Sequence, residues 1–146
     1  MSFRNYQVPY KINEKYSKKA AYFSMEFAIH QPLKIYSGGL GFLAGSHLRS
    51  AFELNQNMIG VGILWKYGYY DQARNQDQSL QVTFMEKMYS FLEDTGIKYQ
   101  ILIHDHPVWV KAYYLAPNTF CSAPLFLLST DSVSYTHLRA HETLMN

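Results

Sequence analysis

A glycine cluster between two runs of strand length constrains the fold of this chain more than any other feature. Residues 20–25 form a short apolar and aromatic run that ends at an acid, Glu26, which reads as a buried strand with a charged end. Beyond Pro32, Ser37-Gly38-Gly39-Leu40-Gly41 opens a segment with apolar residues at Leu40, Leu43, Ala44, Leu48, Ala51 and Phe52, a helical spacing that should run out near Asn55. Residues 58–64, Met-Ile-Gly-Val-Gly-Ile-Leu, then read as a second buried strand. Strand, glycine turn, helix and strand in this order predict an α/β fold with a parallel sheet covered by helices. In such folds ligands gather where strand ends meet helix starts.

The flanking segments are less constrained. The polar stretch up to Lys19 reads as an exposed helix or arm. Residues 84–93 have the spacing of a helix with Phe84, Met88 and Phe91 or Leu92 inward, closing at Gly96. Residues 99–103, 108–115 and 125–128 are β-rich and are separated by turn signals at His104-Asp105-His106-Pro107 and Ala116-Pro117-Asn118, which predicts a β-meander attached to the sheet.

Charge and cysteine content narrow the setting. A net charge of +2 over 146 residues, with lysines gathered in residues 11–19, gives no basis for nucleic-acid binding. Cys121 is the one cysteine, so no internal disulfide can form, and residues 1–10 carry no apolar signal segment; a reducing, cytoplasmic setting is expected. No window approaches the length of a membrane-spanning apolar helix, and no membrane partner is expected.

Glycine before a helix lets backbone N–H groups approach a ligand, because glycine lacks a Cβ and tolerates positive φ, and the first-turn N–H groups lie at the positive end of the helix dipole. Phosphate is the natural guest of Gly38, Gly39, Leu40 and Gly41, with Ser37 as the candidate cap; the spacing alone leaves a tight structural turn equally open. Gly60 and Gly62 lie within a strand and are read as permitting close packing. Glu26 is either a structural acceptor or a residue that orders a site. His104 and His106 resemble metal ligands but lack a third nearby, so an exposed turn is expected and no metal is assigned. His30 and His47 flank the glycine segment and could touch substrate, but are read as solvated or hydrogen-bonded. Trp65, Tyr67, Tyr69 and Tyr70 could stack on sugar rings, although core packing is the expectation. Cys121 has no activating neighbour in the sequence.

Three blocks carry a family resemblance. Ala21-Tyr22-Phe23-Ser24-Met25-Glu26-Phe27, then Ile35-Tyr36-Ser37-Gly38-Gly39-Leu40-Gly41-Phe42-Leu43-Ala44-Gly45, then Gly60-Val61-Gly62-Ile63-Leu64-Trp65-Lys66-Tyr67-Gly68-Tyr69-Tyr70-Asp71-Gln72 resemble, in order and spacing, the start of short bacterial-type α-glucan phosphorylases. Ala123-Pro124-Leu125-Phe126-Leu127-Leu128-Ser129-Thr130-Asp131 extends the likeness. The resemblance implies a two-domain glycosyltransferase-B architecture, Rossmann-like in each half, with pyridoxal phosphate on a lysine of the second domain. Residues 1–131 would be part of the first domain. It implies phosphorolysis, in which inorganic phosphate takes the terminal glucosyl unit of an α-1,4-glucan as glucose 1-phosphate. By carry-over, the backbone at Gly38, Gly39 and Leu40 would face phosphate or glucosyl oxygens, and Glu26 would order the site. The cofactor lysine has no counterpart here, so no cofactor-binding residue is assigned and the chain by itself is expected to be inactive. A homo-oligomer is compatible with the full-length form. Sugar-nucleotide glucan synthases share Gly-Gly-Leu-Gly but carry Lys-Thr where Tyr36-Ser37 stand; a non-catalytic glucan-binding module is the other alternative.

Residues 132–146 differ in kind. The run Val-Ser-Tyr-Thr-His-Leu-Arg-Ala-His-Glu-Thr at 133–143 resembles the translation of a transposon-type sequencing adapter, so this tail is expected to be foreign to the natural protein.

Overall fold

The structure is a computed structural model and describes residues 3–131. The reading of residues 132–146 as a foreign tail lies outside the described residues. Strand β1 (Ala20–Phe23), helix α1 (Gly39–Glu53) and strand β2 (Met58–Ile63) form the expected strand–helix–strand unit, with β1 and β2 parallel. A small hairpin, β3 (Asp71–Arg74) and β4 (Leu80–Thr83), forms a separate two-stranded sheet. Strands β5 (Glu93–Ile103) and β6 (His106–Leu115), a single turn α2 (Pro117–Phe120) and strand β7 (Leu125–Ser129) complete the chain. The main sheet has the order β1-β2-β7-β6-β5; β7 runs parallel to β2, whereas β6 is antiparallel to both β7 and β5. The result is an α/β fold with a mixed sheet, compatible with part of a Rossmann-like domain.

Helix α1 stops as its sequence suggests. Asn55, at φ 52°, follows the C-cap Leu54, and its N–H bonds to Phe52 O while Gln56 N–H bonds to Ala51 O, which is the paired Schellman pattern with asparagine in the left-handed position. The face it buries is narrower than the periodicity implied. Ala44, Leu48 and Ala51 join the core, but Leu40 and Leu43 are 56% and 64% exposed. The remaining helix-side positions are filled by the irregular segment between β1 and α1, which contributes Phe27, Ile29, Leu33 and Ile35 at 2% exposure or less. Leu115, Ala123, Leu125 and Leu127 close this core from the sheet.

Strand β1 is not the buried strand expected. It occupies the sheet edge, its residues are mostly exposed, and Phe23 is 74% exposed, because the chain's apolar load falls after Glu26 rather than before it. Strand β2 is half-buried, with only its two glycines fully covered. The amino-terminal arm lies against the sheet through aromatic edges: Tyr6 meets Phe126 and Phe3 meets Tyr114, each at 5.1 Å between ring centroids.

The expected helix over residues 84–93 is absent. Its backbone and side chains bond outward instead of along a helix: Lys87 N–H donates to Lys66 O at 2.7 Å, Lys87 pairs with Asp71, Glu86 pairs with Lys66, and Tyr89 OH accepts from Lys34 N–H. Gly96 closes no helix. It sits at φ +69° in an irregularity of β5, where Asp94 Oδ1 accepts from its N–H. The three β-rich runs do form strands, and His104 and Asp105, at φ 48° and 63°, make the two-residue turn between β5 and β6.

Gly60 and Gly62 are closely packed. A Cβ on Gly60 would lie 2.7 Å from Leu48 Cδ1, and one on Gly62 would lie 2.8 Å from a ring carbon of buried Phe27. Gly62→Ala is therefore expected to lower stability by about 1–3 kcal/mol in urea unfolding, the usual cost of overpacking a core. Gly38→Ala, where the added Cβ meets nothing within 4 Å and φ is −150°, should stay within about 0.5 kcal/mol of the parent.

Candidate functional site

The glycine turn is built from the β1–α1 connection. After β1 the chain bends at Ser24, whose hydroxyl donates to Glu26 O at 2.8 Å, and this bend swings Glu26 under the start of α1. Phe27 then enters the core, and Ala28 N–H donates to Gly41 O at 2.9 Å, tying the segment to the first helical turn. Two glycines make this approach feasible. A Cβ on Gly41 would lie 2.6 Å from Tyr36 Cβ, and one on Gly45 would overlap the Ala28 carbonyl.

Gly38 and Gly39 are different. Neither has positive φ, a conformation that among the described glycines is found only at Gly68 and Gly96, so the backbone freedom expected of the turn is not what glycine supplies. Neither is crowded: a Cβ on either would meet nothing within 4 Å. The first helical hydrogen bond is Phe42 N–H to Gly38 O at 3.3 Å, so the N–H groups of Gly39, Leu40 and Gly41 precede any intrahelical acceptor. Gly38, not Ser37, is the N-cap, and no side chain caps the helix. The outer turn thus combines unpaired donors, the positive end of a 15-residue helix and open space, which suits an anionic or polar oxygen.

Glu26 braces the turn from within. Its Oε1 accepts from Ser37 Oγ–H at 3.3 Å and from the Tyr69 hydroxyl, and its Oε2 accepts from Ser37 N–H at 3.5 Å. The capping atoms expected of Ser37 are spent on this carboxylate. Tyr69 is therefore bound to the site's framework through its hydroxyl, a contact that neither the stacking nor the packing reading included.

The other candidates are dispersed. Trp65 packs partly buried against the core, while Tyr67 and Tyr70 are exposed, so core packing does not hold for those two. His47 stacks on Tyr22 at 4.9 Å. His30 stacks on Phe120 at 4.3 Å and lines, with Tyr36, Phe42, Ser46 and Arg49, an open cleft of about 330 Å³ beside α1. Arg49 spans this cleft's floor by donating to Ile29 O, a contact no sequence pattern indicated. His104 and His106 are exposed at the β5–β6 turn, away from the glycine turn in sequence, and no group of three metal-ligating residues occurs among the described residues. Cys121 is exposed in the left-handed position that ends α2.

Burial, with the Glu26 carboxylate second, pushes the Tyr69 hydroxyl above its ordinary 10.0. Burial moves Tyr10, Tyr89 and Tyr114 the same way. With folded values above unfolded ones, the folded chain keeps protons that the unfolded chain releases, so this stability is whole below about pH 10 and is lost as pH rises past it. The thermal midpoint should fall between about pH 9 and about pH 11, and Tyr69→Phe should remove part of that slope; an unchanged slope in the variant would contradict the Tyr69 assignment.

No protein-family profile matches the chain. It is 55% identical over 114 residues, 78% of its length, to an uncharacterized protein of Methanocaldococcus jannaschii, of which it covers 22%. It is 42% identical over 133 residues to glycogen phosphorylase of Aquifex aeolicus, covering 83% of this chain and 18% of that one. It is 31% identical over 142 residues to maltodextrin phosphorylase of Thermococcus litoralis, covering 88% and 17% respectively. The chain spans about a fifth of the length of these relatives. Over most of its own length, and against a small share of theirs, it is homologous to the glycogen and maltodextrin phosphorylases.

Proposed function

We propose that this chain is part of the first domain of an α-glucan phosphorylase of glycosyltransferase-B architecture, and that its glycine turn positions phosphate or glucosyl oxygens during phosphorolysis. The observation that carries the reading is the contrast among four glycines of one segment. Gly41 and Gly45 are required by packing, whereas nothing in the fold requires glycine at 38 or 39. A substituent at either position would extend into open space at the helix start, where the N–H groups of Gly39, Leu40 and Gly41 have no intrahelical acceptor. That is the position a charged ligand would take, and preorganised backbone donors stabilise developing charge without reorganising.

The proposed partners are α-1,4-glucan and inorganic phosphate in a cytoplasmic protein. Pyridoxal phosphate belongs to the same proposal, held by the remainder of the protein. The residues at hand fit one end of such a group: the open donors of Gly39 and Leu40 suit a phosphate, as they would suit the substrate anion. Bound near the substrate, the cofactor's phosphate would supply proton relay. This chain's own part is to orient oxygens and to hold the turn still through Glu26. The Tyr36-Ser37 pair, where a sugar-nucleotide synthase carries Lys-Thr, supports the phosphorylase reading.

The test is Gly39→Val in the full-length protein that contains this chain. The open Cβ position predicts normal folding and retained cofactor, with phosphorolysis reduced by about 10²–10³, the cost of losing a preorganised donor to a charged transition state. Near-normal turnover in the folded variant would refute the role.

A further inference from the structure

We infer that Tyr69 is a positioning residue for the glycine turn, acting through Glu26 without touching a ligand itself; the inference rests on the reading of that turn as the ligand site. Three observations lead to it. The Tyr69 hydroxyl donates to Glu26 Oε1, the same oxygen that accepts from Ser37 Oγ–H. Ser37 directly precedes Gly38 and Gly39, so a carboxylate held at Ser37 fixes where the turn begins. The Glu26 side chain also rests against Gly41, where a Cβ would come 3.2 Å from Oε2, so it meets the turn at Ser37 and again at Gly41.

Local sequence explains why Tyr69 arrives there. Gly68 takes φ +60°, and a Cβ at that position would lie 2.5 Å from Lys34 O; only glycine fits this turn. Gly68 N–H donates to Trp65 O at 3.2 Å and Tyr69 N–H to Lys34 O at 3.3 Å, which fastens the segment after β2 to the loop before α1. Tyr69 is thereby supported by backbone on both strands of the connection. A carboxylate near a proposed anion site would repel the guest if it were free to turn outward. With Tyr69 and Ser37 donating three hydrogen bonds, its lone pairs are directed inward, and a bond to a charged acceptor is worth more than a neutral one.

Amide hydrogen exchange on the full 146-residue chain tests this without any activity. In Tyr69→Phe, exchange at Ser37, whose N–H donates to Glu26 Oε2, should quicken by about tenfold, the scale of one lost bond to a charged group, while amides of the β5–β6 hairpin stay unchanged. Tyr70→Phe, an exposed neighbour with no bond to Glu26, should change neither. Glu26→Gln combined with Tyr69→Phe should be no faster than the quicker single variant, because both act on one contact. Unchanged exchange at the turn, equal quickening in the hairpin, or additive effects in the double variant would each overturn the proposal. In the full-length protein, Tyr69→Phe should raise KM for phosphate by more than it lowers kcat, and restoring the hydroxyl should reverse it. Quickened exchange together with absent phosphorolysis in the parent would uphold the brace and refute the phosphorylase reading.

Discussion

Helix α1 lies directly on the Ala28 backbone and the Glu26 side chain, and that contact joins the core to the candidate site. It is possible because Gly41 and Gly45 present no Cβ to Tyr36 and Ala28. The close approach lets Ala28 N–H reach Gly41 O, fixes the direction of Phe27 and Ile29 into the core, and places Glu26 beneath the first helical turn. A helix one side chain further out would leave Phe27 without its seat against Gly62 and would detach Glu26 from Ser37. Core and candidate site are therefore consequences of the same two missing side chains.

The strand–helix–strand unit was legible because its signals are local: two apolar runs, a glycine turn and a helical period. The helix stop at Asn55 and the turn at His104-Asp105 were legible for the same reason. What the sequence concealed was decided by neighbours distant along the chain. Leu40 and Leu43 carry the right period but lie at the exposed start of α1, while Leu33 and Ile35 join Ala44 and Leu48 in the core. The segment around Met88 has helical spacing, yet Lys66, Asp71 and Lys34 draw its polar groups away from one another. The β3–β4 hairpin went unread because its strands are short and largely exposed; Asn75 and Asp77, which bond to Ser79, were its only turn signal.

At the site, residue identities were legible and their division of labour was not. Glycines 38, 39, 41 and 45 look alike in sequence, but two are packing residues and two face open space. Ser37 has the composition of a helix cap and instead serves Glu26. Tyr69 has the composition of a stacking residue, and its hydroxyl bonds to Glu26. Such distinctions require knowing which atoms lie within reach, which no spacing rule supplies.

The proposed function for this turn is in an enzyme using inorganic phosphate to cleave an α-1,4-glucan. The most direct measurement is the phosphate dependence of sugar release from maltodextrin by the full-length protein, with products separated as glucose 1-phosphate or glucose. Phosphorolysis should give glucose 1-phosphate, formed only when phosphate is present and in proportion to glucan shortened. Glucose released without phosphate, or glucan elongated only from a sugar nucleotide, would contradict it.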